Sequence, residues 1–225
     1  NIVDVTLEKG HRYAIRIESI PRRFASTRLV WMPPQPDAEA RAAAAARQAD
    51  VVVAVVGITS DLEGEENGVQ QEGFKGGDRT SLDLPREEQK LLEAVKGSGK
   101  PLVVVVMSGS AIALNWAKQN ANAILQAWYS GEEGGTAIAQ TLDGTNNPSG
   151  RLPVTLYTGV DQLPDFTDYS MARRTYRYFD GEPLFPFGFG LSYSTFAYAD
   201  LKVPEKIAAG DPLQVEAQVR NTSTR

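Results

Sequence analysis

The chain has 225 residues, 42% hydrophobic and 23% charged, with a formal net charge of −5. That balance is ordinary for a globular protein of one large or two small domains. The lack of a basic stripe argues against a nucleic-acid partner, and the lack of a run of roughly eighteen apolar residues argues against a membrane-spanning helix. There is no cysteine, and His11 is the single histidine. Disulfides, thiolate zinc sites, cysteine nucleophiles, Ser-His-Asp triads and multi-histidine metal centres are therefore excluded. Any chemistry falls to carboxylates, Tyr, Lys, Arg and Ser, with no cofactor or metal expected. The chain opens at "NIVDVTLEKG", without a methionine or a signal peptide, and reads as a processed or excised piece.

In chain order, residues 1–32 alternate as strands do, in "IVDVTL", "RYAIRIE" and "TRLVW", with a Lys9–Gly10 turn between the first two. The prolines of "MPPQPD" mark a boundary. "DAEARAAAAARQA" predicts a helix with Asp37 as its N-cap candidate. "DVVVAVVG" is a β-branched run that reads as a strand buried on both faces. A helix is predicted over 84–99, with Pro85 at its first turn and a glycine stop. A strand follows over 100–109, a short helix over 110–120, a strand over 123–129 and a helix over 131–144. This alternation implies an α/β fold with a doubly wound, mostly parallel sheet. Beyond Gly144 a turn-rich stretch carries one alternating strand (146–157). The aromatic, Pro- and Gly-rich residues 168–196 are too apolar for a linker and read as an ordered strap. Strand alternation returns in "LQVEAQVRN".

Open α/β sheets bind ligands at the carboxyl ends of their strands. Three segments should meet there: the loop 61–79, "MSGS" and "WYSGEEGG". The loop reads "DLEGEENGVQQEGFKGGDR" and carries four carboxylates, Asp61, Glu63, Glu65 and Glu66, within six residues. A solvated surface connection is one reading. The other is a proton donor, since like charge and partial desolvation raise a carboxyl pKa towards what a general acid needs. Glycoside hydrolysis is a reaction that requires two carboxyl groups and neither histidine nor metal. Asp78 and Arg79 would anchor the base of the loop. Glu132 and Glu133 read as complements to a helix dipole, and a phosphate site is weak without a phosphate-loop pattern. Trp116 reads as core. Trp128, at a strand end, is a candidate to stack on a sugar face. Arg173, Arg174, Tyr176, Arg177 and Tyr178 read as a cluster that pins the strap.

Three stretches, "GGDRTSLDLPREEQKLLEAV", "GEEGGTAIAQTLDGTNNPSGRLPVTL" and "YRYFDGEPLFPFGFGLSYSTF", resemble the second domain of glycoside hydrolase family 3, the β-glucosidases and β-xylosidases, over about residues 38–196. The resemblance implies a six-stranded α/β sandwich over 37–196. Residues 1–36 are similar to the closing strands of a protective-antigen-like β-sandwich insert, and 197–225 to the start of a fibronectin type III-like domain. It further implies a part of an exo-acting retaining enzyme that takes β-linked oligosaccharides or glycosides, with its nucleophilic Asp in a (β/α)8 barrel not contained in this chain. The general acid/base Glu would come from the acidic run. Glu65 matches best, then Glu63, then Glu66, while Asp78, Arg79 and Trp128 would line the substrate pocket. On this resemblance the fragment alone is expected to be inactive, and a periplasmic or secreted parent is compatible with it. A non-catalytic carbohydrate-binding or scaffolding fragment is the alternative.

Overall fold

A computed structural model describes residues 5–18, 37–64, 69 and 71–225. It divides into two compact units, Asn1–Pro36 and Asp37–Arg225. In the first, Gly10 turns the chain with φ +89° and the His11 N–H donates to the Glu8 carbonyl at 3.2 Å. The Lys-Gly turn is thus present, but no strand is assigned among the described residues 5–18. The expected strand "TRLVW" and the "MPPQP" boundary lie outside the described residues.

The second unit alternates helix and strand. Helix α1 spans Ala38–Gln48, β1 Val52–Gly57, and the short pair β2 and β3 Phe74–Lys75 and Asp78–Arg79. Then come α2 (Arg86–Lys96), β4 (Leu102–Met107), α3 (Asn115–Asn120), β5 (Ala123–Gln126) and α4 (Gly134–Asp143). Asp37 occupies the N-cap position of α1 but makes no side-chain capping bond. Pro85 stands just before α2, where its missing N–H costs nothing. Gly144, at φ +83°, ends α4 in the left-handed conformation that glycine adopts freely.

The main sheet has the order β1-β4-β5, parallel throughout, with Val52 opposite Leu102 and Val103 opposite Ala123. This is the α/β class expected; three strands are assigned to that sheet among the described residues. The central strand β4 is the one buried on both faces: Val104 and Val105 point to opposite faces and both are fully buried. The same expectation for β1 does not hold. Its Ala54 and Val56 enter the core, while Val53 and Val55 are 49% and 59% exposed. A period of two with β-branched residues on both faces specifies a strand, but not how many of its faces are covered. The covered face packs with Ala42 and Ala46 of α1 and with Leu91, Leu92 and Val95 of α2 in one apolar cluster. Trp116 of α3 packs against the same cluster, as core.

The strap, residues 168–196, is tied by backbone hydrogen bonds to the stretch that follows α4. Leu156 exchanges backbone hydrogen bonds with Phe185 at 2.9 and 3.2 Å, and the Gly188 N–H donates to Leu152 O at 2.8 Å. Leu156 is thus held as a bridge rather than in the longer strand expected over 146–157. Lys118 on α3 donates to the Leu184 carbonyl at 2.7 Å and lies over the Phe185 ring. A short helix, α5, covers Thr175–Tyr178. Arg174 donates to the carbonyls of Ser170 and Asp168, and Arg177 lies over the Tyr176 ring. The last residues pair antiparallel as β6 (Phe196–Lys202) and β7 (Glu216–Asn221).

Candidate functional site

Because β1, β4 and β5 run parallel, their carboxyl ends open onto one rim. Gly57 closes β1 with φ +146°, and a Cβ there would collide with the Met107 carbonyl of β4. Only glycine fits so close an approach with that backbone. The Gly57 N–H donates to Glu88 Oε2 of α2 at 2.7 Å. Burial raises the Glu88 carboxyl above its ordinary pKa, and the Gly57 N–H draws it partly back. The acidic loop therefore leaves the sheet from a fixed point. The Leu62 N–H then donates to Thr59 O at 3.0 Å, turning the chain back over the rim.

That turn delivers Glu63, which is half-buried. Ser110, after β4, donates its hydroxyl to Glu63 Oε1. Tyr129, after β5, donates to Glu63 Oε2 at 2.8 Å, and its hydroxyl lies equally close, at 2.8 Å, to the Ile58 carbonyl. Desolvation, the hydrogen bond to Glu63 and the Glu63 charge together push the Tyr129 phenol up to about 12. Two glimpses of backbone geometry make this contact possible. Trp128 adopts φ +57°, uncommon for a bulky residue, and the chain turns there between β5 and Tyr129. Gly109 leaves room beneath the pair: a Cβ there would lie 2.6 Å from the Tyr129 ring and 2.8 Å from Glu63 Oε2.

Arg79 secures the base of the loop. Its Nε donates to Ser81 O at 3.0 Å and its Nη2 to Asp83 O at 3.3 Å. Its Nη1 reaches Ala111 O at 2.6 Å and Ser110 Oγ at 3.1 Å. One planar guanidinium thus ties the β3 segment to the exit of β4, and it leaves the Ser110 proton free to point at Glu63. Partial burial lowers the Arg79 pKa, and the charges of Glu63 and Asp83 oppose that. A cavity of about 470 Å³ opens beside this network, lined by Glu63, Asp78, Arg79, Ser110, Thr155 and Tyr157 among others.

Of the residues expected at the site, Glu63, Asp78 and Arg79 meet at this cavity. Glu65 and Glu66 lie outside the described residues. Trp128 sits on the rim but is not among the residues lining the cavity. The anchoring expected of Arg79 is made through backbone carbonyls and Ser110. Gly109 and Ser110 lie in "MSGS" and Tyr129 in "WYSGEEGG", the two segments expected to meet the acidic loop on this rim, and they do meet it at Glu63; no individual role was read for them from the sequence. The available signal was a hydroxyl residue just beyond each of two parallel strands. Among the described residues, no group of three or more His, Asp or Glu is placed to hold a metal ion.

Comparison with known proteins places these features in a family. The family model described as the glycosyl hydrolase family 3 C-terminal domain matches residues 4–193. A xylan 1,4-β-xylosidase of Xylanibacter ruminicola is 53% identical over 169 residues, 75% of this chain and 19% of that protein. A periplasmic β-glucosidase of Salmonella typhimurium is 40% identical over 80% of this chain and 24% of its own length. The chain thus spans about a fifth to a quarter of the length of these relatives. Among solved structures, a family 3 β-glucosidase of Bifidobacterium adolescentis superposes with a TM-score of 0.72 at 32% identity, over 85% of this chain and 29% of that one. With a family model covering most of its length and a parallel α/β sheet to match, the chain belongs to glycosyl hydrolase family 3, whose C-terminal domain it carries.

Proposed function

We propose that this chain supplies the general acid/base to the active site of an exo-acting, retaining β-glycosidase of the β-glucosidase or β-xylosidase type. The observation that carries this reading is the acidic loop, fastened on the carboxyl-end rim beside a cavity lined by Glu63, Asp78 and Arg79. The names of the relatives, a xylosidase and glucosidases, support the substrate class. The nucleophilic Asp would come from a (β/α)8 barrel in the remaining length of the polypeptide. That Asp attacks the anomeric carbon while a Glu of the acidic run gives its proton to the leaving oxygen. The same Glu then takes a proton from water as water displaces the enzyme carboxylate. Glu65 is the first choice for this role and Glu63 the second. Asp78 and Arg79 face the sugar pocket, and Trp128 is the candidate for a contact at its edge. Residues 1–36 and 197–225 are assigned to a protective-antigen-like sandwich and a fibronectin type III-like domain.

The test is made in the full polypeptide, with Glu65→Ala and Glu63→Ala. Each is assayed on an aryl β-glycoside with a good leaving group and on a natural disaccharide. Loss of the acid depresses the poor-leaving-group reaction by about 10²–10⁴ more than the good one, and azide restores turnover by replacing activated water. If neither variant separates the two substrates, the acid/base is not in this run, and a non-catalytic carbohydrate-binding or scaffolding role becomes the better reading.

A further inference from the structure

We propose that Tyr157, with Thr155 and Leu163, sets leaving-group specificity: together they form the subsite that takes the pyranose ring released when the β-linkage is cut. The inference rests on the reading that the acidic run holds the acid/base, whichever of its Glu residues gives the proton.

The chemistry decides which part of the substrate this cavity faces. In a retaining glycosidase the nucleophile attacks the anomeric carbon and the acid protonates the oxygen that departs, so the two carboxyl groups flank the bond. The sugar that stays on the enzyme lies with the nucleophile, which on that reading is outside this chain. The departing group lies beside the acid. A cavity walled by the acidic loop, on the chain that carries the acid, is therefore placed for the departing group. Its volume of about 470 Å³ falls within the range of small-molecule sites.

The walls match a sugar ring. Asp78 and Arg79 supply charge at the base of the loop, and the stretch after α4 supplies Thr155, Tyr157 and Leu163. Tyr157 is half-buried, and its ring centroid lies 5.0 Å from that of Phe179 at an interplanar angle of 84°. This edge contact fixes the plane of the Tyr157 ring. Thr155 is only 8% exposed. Among the described residues, neither the Thr155 nor the Tyr157 hydroxyl has a hydrogen-bond partner. A hydroxyl so deeply buried is costly to leave unpaired unless water or a ligand meets it. Leu163 is 40% exposed and adds an aliphatic surface. An aromatic ring, an aliphatic side chain and two unpaired hydroxyls suit a ligand with apolar C–H faces and a rim of hydroxyls, which is what a pyranose presents.

The test uses the full polypeptide and three substrates of one sugar: a β-glycosyl fluoride, an aryl β-glycoside and a disaccharide. Fluoride departs as a single ion too small to reach these walls, whereas the disaccharide releases a whole ring. The readout is kcat/KM for the disaccharide divided by that for the fluoride. Tyr157→Ala should lower this ratio by about 10- to 100-fold, as loss of one large apolar contact does. Thr155→Val keeps the shape and removes the hydroxyl, and Leu163→Ala changes a side chain at the surface. Each should lower the ratio by about 2- to 10-fold, and they decide the matter should Tyr157→Ala fail to fold. A misplaced acid would also spare the fluoride, so the pH profile on the disaccharide is measured as well. Its basic limb reports the acid and should stay where the wild type has it. A shifted limb would trace the loss to the acid and overturn the subsite. An unchanged ratio in the folded variants overturns it too, and the assignment of the acid/base to the acidic run then stands on its own test. If Tyr157→Ala lowers the ratio for the aryl glycoside and not for the disaccharide, the subsite takes an aryl group and the pyranose assignment falls. If the wild type turns over none of the three substrates, the functional reading fails and the subsite fails with it.

Discussion

Single residues set the geometry of the rim. Glu88 is a half-buried carboxyl whose native pKa is raised by desolvation, so the folded chain holds that proton more tightly than the unfolded one. Its contribution to stability is fully present below the unfolded-state pKa and is lost as pH rises through the folded value. Glu88→Gln keeps an acceptor for the Gly57 N–H without a titrating group. The Tm of wild type minus that of Glu88→Gln should therefore fall as pH rises from about 4 to about 7, across the ordinary carboxylate range and above it. A flat difference would show that the carboxyl titrates alike in both states. Gly109→Ala tests the space beneath Glu63 and Tyr129, because the new methyl meets the ring at 2.6 Å. It should lower stability by about 1–3 kcal/mol, as overpacking does. The same substitution should speed hydrogen exchange in the acidic loop, since the Glu63–Tyr129 contact cannot close over it.

At the scale of elements, β3 and β4 meet through one side chain. Arg79→Lys retains the charge but loses the planar fork that reaches Ser81, Asp83, Ala111 and Ser110 together. With several half-buried acceptors left unfilled, it should cost about 1–3 kcal/mol in urea unfolding. A cost under half a kcal/mol, roughly that of an ordinary surface substitution, would mean the fork does not hold the loop base. The helices and strands divide just as sharply. Leu92, fully buried on α2, should cost about 2–5 kcal/mol when changed to Ala. Val53→Thr, on the open face of β1, should change stability by less than about 0.5 kcal/mol. Equal costs would indicate that the outer face of β1 is covered.

For the whole molecule, half of a two-carboxyl mechanism is the expectation. The 225-residue chain should give no measurable turnover of an aryl β-glycoside, even with azide present, because the partner carboxylate would lie in another part of the polypeptide. Turnover by the chain alone would place both carboxyl groups within it.

The order of helices and strands was legible in the sequence, because hydrophobic periodicity and Gly or Pro punctuation are local properties of the chain. From β1 to α4 each expected element is found, with ends trimmed by a few residues. The acidic loop, its exit from a strand end and the Arg79 anchor were equally legible, since their spacing along the chain carries them. Which faces of β1 are covered was not, because a valine reads the same beside a helix as beside water. Nor was the clasp on Glu63. Ser110 lies 47 residues from it and Tyr129 lies 66 away. Only the parallel pairing of β1, β4 and β5 brings those hydroxyls to one carboxylate. Sequence determined the elements and the kind of chemistry they carry; tertiary structure decided which carboxylate is held and by what, since hydrogen bonds between distant residues exist only once the sheet has formed.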